Sequence, residues 1–549
     1  MKNEYWARTP LPREQTLLFP TRLDEIIPAD HLVRVYAELL ADYDWSEWEA
    51  LYDGVVGQPP IHPRYLAVLW LYGLRRRIGT TRKLEYAIQF YTDFMWLAEG
   101  HTPDHTTLSK FRTKFGQALK DLFRHVSRRA LLEGYLRLDE SGTDGTRIKA
   151  NASRYKTWTA EKIERYLTEL LAEFQDSLDE VGRHDEAEVL LAEPVPAPQT
   201  AVPDEEETES DEPPPPPPLT LEQEALREEI RASRELQEQL RAADKARKAN
   251  GTDPAKNPAQ IPMTDTDSQI LPNKEGGYAP NYTPLVTAEG AHGFLLDCDV
   301  LTSTSEGAAL VPSLDRIKAE LGAYPQRVLA DGAFATGANI AAFEARGVEF
   351  LSPLVQPEPV QNPSVRADPT QPVPESRWAE LPISPQTKTL DKACFVYDEQ
   401  ADSYRCPMGR ELPFAEHKSD VRRGEKQTWR VYRCEDCAGC PLLRKCVLEK
   451  NKQGRSINRD IYTPERERLA AKMRDPIAKE NYQRRMSIGE TPFALIKHVM
   501  GLRQFLLRGL EKVKTEWRWT CLAVNLDKLA RLRLKARLAA TEMQAIEAV

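Results

Sequence analysis

The stretch Arg327-Val328-Leu329-Ala330-Asp331-Gly332 is a short apolar run that ends in an aspartate and a glycine. Short apolar runs bounded by turn residues are typical of buried strands. Further elements are predicted around it, namely strands at Leu285–Ala288, Phe294–Leu301 and Val348–Leu351 and helices at Ala308–Leu321 and Asn339–Arg346. The order strand, strand, helix, strand, helix, strand indicates a mixed α/β sheet.

Asp331 stands where this strand ends. The carboxyl ends of strands are the place where α/β sheets present functional side chains. An aspartate next to a glycine is also a common turn former and helix cap. The position alone therefore leaves both interpretations open.

Upstream of the sheet, residues 16–135 predict an all-α unit. Apolar positions recur there at helical spacing, in Leu32–Leu40, Tyr65–Leu74, Leu84–Trp96 and Leu108–Leu132. One part of this unit, Thr106–Lys114, begins with capping-type residues and places Lys110, Arg112 and Lys114 beside an apolar stripe. Such a helix either contacts DNA through these cations or is an ordinary amphipathic surface helix.

Charge is distributed unevenly along the chain. The formal net charge is −9, but residues 185–212 hold eleven acidic residues and no Lys or Arg. Residues 450–540 hold 22 Lys and Arg against nine Asp and Glu. This asymmetry fits a body that binds a polyanion and a separate acidic segment, although a solvated helical surface gives the same pattern.

The acidic segment lies between two predicted charged amphipathic helices, 160–181 and 220–248, and is followed by six consecutive prolines at 213–218. Six prolines cannot form a helix, and a segment so poor in apolar residues cannot bury enough surface to fold. The sequence therefore predicts a disordered, acidic and proline-rich insertion at 185–219.

Five of the eight cysteines are crowded into one segment, namely Cys406, Cys434, Cys437, Cys440 and Cys446. In a cytosolic chain, C-x2-C spacing favours a metal site over disulfides, and a structural zinc ion takes four such ligands. A reduced, metal-free cluster is the alternative. The other three cysteines are expected to be ordinary buried thiols.

Several classes of protein are not indicated. The N-terminus has no apolar signal-peptide core, and the most apolar early stretch, Tyr65–Leu74, is about half as long as a membrane crossing requires. Neither the dinucleotide-binding motif G-x-G-x-x-G nor the P-loop motif occurs. We therefore expect a cytoplasmic protein that has no membrane partner and does not hydrolyse nucleotides.

Three ordered blocks of the sequence resemble the insertion-sequence DDE transposases. They are Thr143–Ala152, which contains Asp144, the block Leu329–Gly332 with its following helix, and Tyr482–Lys497, which contains Glu490. Two further blocks, Leu18–Pro20 and Pro103–Leu108, resemble the N-terminal domain of the same proteins. The likeness covers roughly residues 15–155 and 260–530. It is greatest to the insertion-sequence group numbered eleven-eighty-two, which is related to the insertion-sequence groups numbered five and four.

The resemblance implies a ribonuclease-H-like catalytic domain in which Asp144, Asp331 and Glu490 bind two Mg²⁺ or Mn²⁺ ions. Three carboxylates repel one another unless cations lie between them, and Mg²⁺ prefers oxygen ligands. Two such ions polarise the scissile phosphate, activate water or a 3′-hydroxyl, and stabilise the leaving oxygen. Asp139 is the alternative to Asp144.

Two local features bear on the position of these carboxylates. Glu140–Thr143 is too polar for a strand core, so the strand of Asp144 is predicted to run forward through Arg147–Ala150. Pro492 is best tolerated in a first helical turn, so Glu490 is predicted at or just before a helix start. If that helix is continuous, Glu490 and Lys497 share one of its faces.

The resemblance also assigns contacts with DNA phosphates to Arg485 and Lys497, together with Tyr482 from the same signature of Tyr, Arg, Glu and Lys. Four residues separate Arg485 from Glu490, one more than in the family. The alternative for Arg485 and Lys497 is a surface salt bridge. In the cysteine cluster, the resemblance favours four zinc ligands and leaves Cys434 outside; the four are Cys406, Cys437, Cys440 and Cys446.

The chain is predicted to consist of an all-α N-terminal domain that binds DNA (1–135), the first strand of the catalytic domain (136–155), charged helices with the acidic insertion (156–262), the ribonuclease-H-like core with Asp331 (263–355), a loop with a small zinc-ribbon-like Cys-rich insertion (356–450) and a basic helical C-terminal part with Glu490 (451–549).

The function implied by the resemblance is that of a transposase. It would bind the terminal inverted repeats of its own element, cut the DNA at the ends and join the freed ends to target DNA. We expect it to act as a homodimer on DNA, associated with the nucleoid. Two alternatives remain, an inactive DNA-binding regulator descended from such an enzyme and a metal-dependent nuclease without strand transfer.

Overall fold

The computed structural model describes residues 22–52, 59–191, 219–249, 251–273, 276–303, 305–354, 362–422, 425–448 and 454–547. Its internal contacts divide the chain into two compact units, one of residues 1–150 with 282–549 and one of residues 151–281. Within the described ranges, no helix combines the length and the apolar character that a membrane crossing needs.

The first part of unit 1 is helical, as predicted. Its helices are α1 (Leu23–Ile26), α2 (Leu32–Ala41), α3 (Ser46–Glu49), α4 (Pro63–Arg75), α5 (Thr81–Phe90), α6 (Thr92–Ala98), α7 (His105–Lys114) and α8 (Ala118–Leu132). The predicted helix Leu84–Trp96 is divided between α5 and α6, because Tyr91 has extended backbone angles. The predicted helix Leu108–Leu132 is likewise divided between α7 and α8, around Phe115.

A mixed sheet forms the second part of unit 1, which confirms the predicted α/β arrangement. Its strands are β1 (Glu140–Gly145), β2 (Ile148–Lys149), β6 (Tyr278–Glu289), β7 (Leu295–Leu301), β8 (Arg327–Leu329) and β9 (Glu349–Leu351). The spatial order is β7-β6-β1-β8-β9, and β2 pairs elsewhere on β6. Strand β6 is antiparallel to both of its neighbours, whereas β1, β8 and β9 are parallel.

Helix α11 (Leu310–Leu321) connects β7 to β8, and helix α12 (Gly337–Ala345) connects β8 to β9. Both helices bury apolar side chains against the sheet, in a cluster that includes Leu314, Val328 and Phe343. Each ends near a glycine in the left-handed region, Gly322 with φ +90° and Gly347 with φ +67°. Glycine has no Cβ penalty at this position, so it stops the helix and directs the chain back into a strand.

The strand that carries Asp144 does not run forward as predicted. Strand β1 covers Glu140–Gly145, so most of it precedes Asp144. The polar residues of β1 are tolerated because each finds a partner. Thr143 Oγ1 lies 2.9 Å from Thr287 Oγ1 on β6, and the Glu140 carboxylate pairs with Arg327 at 3.4 Å.

A second, entirely antiparallel sheet occupies much of the region after β9. Its strands, in spatial order, are β10 (Val396–Asp398), β11 (Ser403–Arg405), β12 (Glu411–Arg422), β13 (Glu425–Arg433) and β14 (Ser456–Asp460). The short helix α13 (Leu443–Cys446) lies between β13 and β14. Sequence patterns do not predict these strands, because charged residues dominate β12 and β13 and leave little apolar alternation to recognise.

The C-terminal part of unit 1 is helical. It consists of α14 (Thr463–Lys472), α15 (Pro476–Gln483), α16 (Arg485–Ala494), a π-helical turn at Leu495–Val499 and the long α17 (Leu510–Glu547). Helix α17 packs against α2, α4, α8 and β7. The buried indole of Trp519 on α17 donates to the Arg112 carbonyl of α7 at 3.2 Å. The N-terminal helices and the sheet are therefore joined through one shared helix.

Unit 2 contains two long helices, α9 (Ala160–Leu191) and α10 (Leu221–Ala249), which pack on each other. It also contains β3 (Thr157–Trp158), β4 (Ile261–Pro262) and β5 (Gln269–Pro272). The two predicted charged helices are confirmed, but α9 continues to Leu191, so the predicted disordered insertion cannot begin at 185. Residues 192–218, with the proline run, lie outside the described residues.

Candidate active site

The two candidate aspartates lie at neighbouring strand ends. Strands β1 and β8 run parallel, with Gly142 opposite Leu329, and each aspartate comes two residues later. Parallel strands present their carboxyl ends at one edge of a sheet. Asp144 is buried there within β1, and Asp331 is partly exposed and caps a short 3₁₀ turn by accepting from the Ala333 N–H at 2.9 Å.

Arg485 connects the two aspartates. Its Nη2 lies 3.3 Å from Asp144 Oδ1 and 3.9 Å from Asp331 Oδ2, from the first residue of α16. The guanidinium is mostly buried. Tyr482 lies in the same electrostatic environment: burial raises the pKa of its hydroxyl, Arg485 opposes that shift, and the Asp331 and Asp144 carboxylates reinforce it. The structure thus brings these four side chains together.

Glu490 is placed differently from the prediction. It is the sixth residue of α16 and is exposed, and Pro492 lies inside the helix, so the expected position at a helix start is wrong. Gly489 is the residue that packs on Asp144, since a Cβ added there would lie 3.1 Å from the Asp144 Cβ. The exposed Glu490 therefore directly follows the residue that packs on Asp144.

Lys497 lies on the π-helical turn rather than on a continuation of α16. The α-helical spacing that would place it on one face with Glu490 is therefore interrupted. Its Nζ donates to Thr146 Oγ1 at 2.6 Å and to the Arg147 carbonyl at 2.9 Å. Lys497 thus holds the turn that follows Asp144.

Two residues of this site, Arg147 and Glu306, are absent from the sequence-based assignments. Arg147 Nη1 donates to Glu306 Oε1 at 2.9 Å, and both side chains are largely buried. Burial raises the pKa of the Glu306 carboxyl, Arg147 opposes this, and the nearby Asp144 and Asp331 raise it further. Arg147 lies in the block around Asp144, but nothing in the sequence marks Glu306 beyond its position shortly before a helix.

Two other acids occur close to the site residues in sequence, Asp139 before Asp144 and Glu480 before Arg485. Asp139 is exposed and precedes β1, so it lies toward the amino end of the strand, the opposite edge of the sheet. Glu480 is exposed on α15.

Two family models match the chain. A model described as Transposase domain (DUF772) matches residues 21–114, and a model described as Transposase DDE domain matches residues 405–530. The two matches indicate a transposase of the DDE family. The second covers Arg485, Glu490 and Lys497, and it supports an enzyme that acts on DNA. No curated protein matches the chain.

Transposase DDE domains suggest a ribonuclease-H-like fold and generally use divalent metal ions. In the described residues, no group of three or more His, Cys, Asp or Glu side chains is arranged closely enough to hold a metal ion. The donor chemistry of Asp144 and Asp331 nevertheless fits one. Their carboxylates converge on a single guanidinium, and carboxylate oxygens are the ligands that Mg²⁺ and Mn²⁺ prefer.

The three cations of α7 differ in exposure. Lys110 and Lys114 are exposed, whereas Arg112 is buried. The Arg112 guanidinium stacks 5.3 Å from the Trp70 ring and donates to the Gly79 carbonyl at 3.2 Å, and burial lowers its pKa. Arg112 therefore points into the helical core rather than toward a ligand.

All five clustered cysteines line one pocket beside the second sheet, Cys406, Cys434, Cys437, Cys440 and Cys446. Cys434 lines the pocket together with the four favoured ligands, so its position does not separate it from them. Burial raises the pKa of the Cys434 and Cys446 thiols to about 12. A thiol so buried ionises readily only next to a cation such as a metal.

Proposed function

We propose that this chain is an active transposase of the insertion-sequence group eleven-eighty-two. It binds the terminal inverted repeats of its element, cuts the DNA there and transfers the 3′ ends to target DNA. The observation that carries this proposal is the convergence of Asp144 and Asp331 on Arg485 at the carboxyl edge of parallel strands. The fold proposed for this part is ribonuclease-H-like, with strand order β7-β6-β1-β8-β9 as its sheet.

Asp144 and Asp331 are the residues that would hold divalent ions, with Glu490 of α16 as the third carboxylate. When bound, two Mg²⁺ or Mn²⁺ ions polarise the scissile phosphate and favour loss of a proton from the attacking hydroxyl. Glu490 is exposed one residue after Gly489, which packs on Asp144. Glu490 would thus come from the same helix that supplies Arg485.

The cations of the site bind the DNA backbone. Arg485 presents a planar guanidinium at the aspartates, and a guanidinium pairs bidentately with phosphate. Lys497 keeps the turn after Asp144 in place, and Lys110 and Lys114 offer exposed charge on α7. Phosphate contacts of this kind fix the register of a protein on DNA without reading its sequence. We further propose that two copies of the chain act together on the DNA ends.

An end-joining assay tests the proposal. The full chain is mixed with Mg²⁺, a pre-cleaved oligonucleotide that carries the repeat flanking the gene, and a plasmid target. Joined products are expected from the unmodified protein and none from Asp331→Asn. Asp315→Asn, which affects an ion pair with Arg346 between α11 and α12, is the matched control and should still join.

The same assay separates the alternatives. When an uncut end is supplied in parallel, cleavage of that end without joining would indicate a nuclease, and binding without either reaction would indicate a regulator. Either result would contradict the proposed function.

A further inference from the structure

The turn that follows Asp144 is held by charged side chains from two directions. Glu306 pairs with the Arg147 side chain at 2.9 Å, and Lys497 donates to the Arg147 carbonyl at 2.9 Å. The Thr146 N–H also donates to the Pro284 carbonyl of β6 at 3.0 Å. Three separate elements therefore hold two consecutive residues, Thr146 and Arg147, shortly after the buried aspartate.

Glu306 lies directly against the backbone of this turn. A Cβ added to Gly145 would lie 2.2 Å from Glu306 Oε2, so a larger residue there would displace the carboxylate from its present position. The Gly145 N–H in turn donates to Asp144 Oδ1 at 2.9 Å. The peptide that orients the Asp144 carboxylate is thus the one on which Glu306 packs.

Glu306 is itself placed by a rigid segment. It precedes the 3₁₀ turn Gly307–Ala309, where its carbonyl accepts from the Ala309 N–H at 3.0 Å, and the Gly307 carbonyl accepts from the buried Asn339 side chain at 2.8 Å. The side chains of Glu306 and Arg147 are 14% and 17% exposed. In such a pair, removing one charge leaves the other buried without its partner, so the remaining side chain and its backbone move.

We propose that Glu306 is a positioning residue for Asp144 and that it acts through Arg147. The inference rests on the proposed function, because it takes the aspartate pair as the cation site. Replacing a residue that orients a metal ligand, without itself binding the metal, typically changes metal affinity or activity by about 10- to 100-fold. Glu306 does not need to touch the cation for this effect.

The test is a Mn²⁺ titration of the full chain without DNA, in which electron paramagnetic resonance reports the free ion. Glu306→Gln and Arg147→Gln are each expected to raise the Mn²⁺ Kd about tenfold or more. The Mn²⁺ Kd of the double variant is expected to be no higher than that of the single variant that binds Mn²⁺ more weakly, because the two residues act as one unit. If Glu306→Gln does not fold, Glu306→Asp replaces it in the test. This variant keeps the charge on a shorter side chain and is also expected to raise the Mn²⁺ Kd.

Asp297→Asn is the matched control. Asp297 is a similarly buried carboxylate, it pairs with Arg316 at a distance of 2.7 Å, and this ion pair does not involve the turn after Asp144. This variant should lower the melting temperature as Glu306→Gln does, yet leave the Mn²⁺ Kd unchanged. An unchanged Kd in Glu306→Gln, or an effect of Glu306→Gln without one of Arg147→Gln, would overturn the inference.

Asp144→Asn separates this inference from the proposed function. If Asp144→Asn abolishes Mn²⁺ binding while Glu306→Gln does not weaken it, only the role of Glu306 is wrong. If the unmodified protein and Asp144→Asn bind Mn²⁺ equally, the aspartate pair is not the cation site, and the proposed function fails together with the inference.

Discussion

Asp144 and Asp331 each lie two residues beyond a matched pair, Gly142 and Leu329, on adjacent parallel strands. The fold therefore sets the two carboxylates side by side although 187 positions separate them along the chain. Two carboxylates so placed repel each other, and Arg485 is the positive group that the structure supplies between them. Their proximity costs free energy unless cations are present, which is the physical reason to expect a cation-dependent activity.

The first prediction is that Asp144, Asp331 and Glu490 act as one catalytic unit. Asp144→Asn, Asp331→Asn and Glu490→Gln keep the size of the side chain but remove a charged ligand. Each should reduce cleavage and joining by about 10³-fold or more, and a double variant should be little worse than a single one. Binding to DNA ends, measured by gel shift in Ca²⁺, should survive because Lys and Arg contacts to phosphate supply it.

Glu480→Gln is the control for the third carboxylate, since Glu480 is an exposed glutamate on the preceding helix α15. Its activity should be normal. If Glu490→Gln instead retains near-normal cleavage in Mg²⁺, the third ligand lies elsewhere, and Glu480 becomes the next residue to test.

A second prediction distinguishes the cations of α7. The double variant Lys110→Ala with Lys114→Ala should weaken DNA binding and reduce the slope of log K against log salt by about 0.9 for each phosphate that is no longer neutralised. Arg112→Ala should instead destabilise the fold by about 2 kcal/mol, because it removes the buried guanidinium that stacks on Trp70 and donates to the Gly79 carbonyl. Filter binding at several salt concentrations and urea unfolding measure the two effects. An unchanged salt slope in the double lysine variant would exclude α7 from the DNA interface.

The mixed sheet could be predicted because several of its strands contain short apolar runs, as in Val328–Ala330. The strand of Asp144 could not, because its polar residues are satisfied by partners far away in sequence. Thr143 bonds to Thr287, and Glu140 pairs with Arg327. Local patterns carry no information about such partners.

The candidate site shows the same limit. The turn-and-strand pattern identifies Asp331, and the helical pattern identifies α7, but neither reveals that Arg112 turns inward onto Trp70. Glu306 lies in a polar loop, and its importance becomes visible only when the fold brings it to Gly145. Burial of a charged side chain is a tertiary property, so sequence periodicity cannot supply it.

The third prediction concerns the cysteine pocket. We expect one zinc ion for each chain, measured by metal analysis of protein purified without chelator. Cys440→Ser should lose the zinc, and its melting temperature should be affected more than its catalysis, because binding of a structural metal contributes directly to folding. Cys394→Ser, at a buried thiol outside the five, should keep the zinc. Protein that contains neither zinc nor iron would contradict this prediction, and Cys434→Ser shows whether Cys434 is a ligand.

The acidic insertion gives a fourth prediction, and the helices of unit 2 determine which residues can be deleted. The Gln223 side chain near the start of α10 donates to the Ser177 carbonyl of α9 at 3.1 Å. Helix α9 continues from there to Leu191, about 21 Å further at 1.5 Å per residue. Residues 213–220 can extend over about 26 Å. A deletion of residues 192–212 therefore leaves enough chain to return to α10.

We predict that deleting residues 192–212 leaves the melting temperature unchanged within about 1 °C, because a segment with eight acidic residues and few apolar ones cannot bury enough surface to stabilise the fold. The deletion should strengthen nonspecific binding to DNA several-fold at low salt, since it removes a polyanion that competes for the basic surface. Calorimetry and filter binding with a random-sequence duplex measure the two effects. A variant of unchanged length with the eight acids replaced by Gln and Asn is the control: it should bind DNA as the deletion does, because charge rather than length is responsible. A large drop in melting temperature would instead show that the segment is structural, and unchanged DNA binding in both variants would show that it does not compete with DNA.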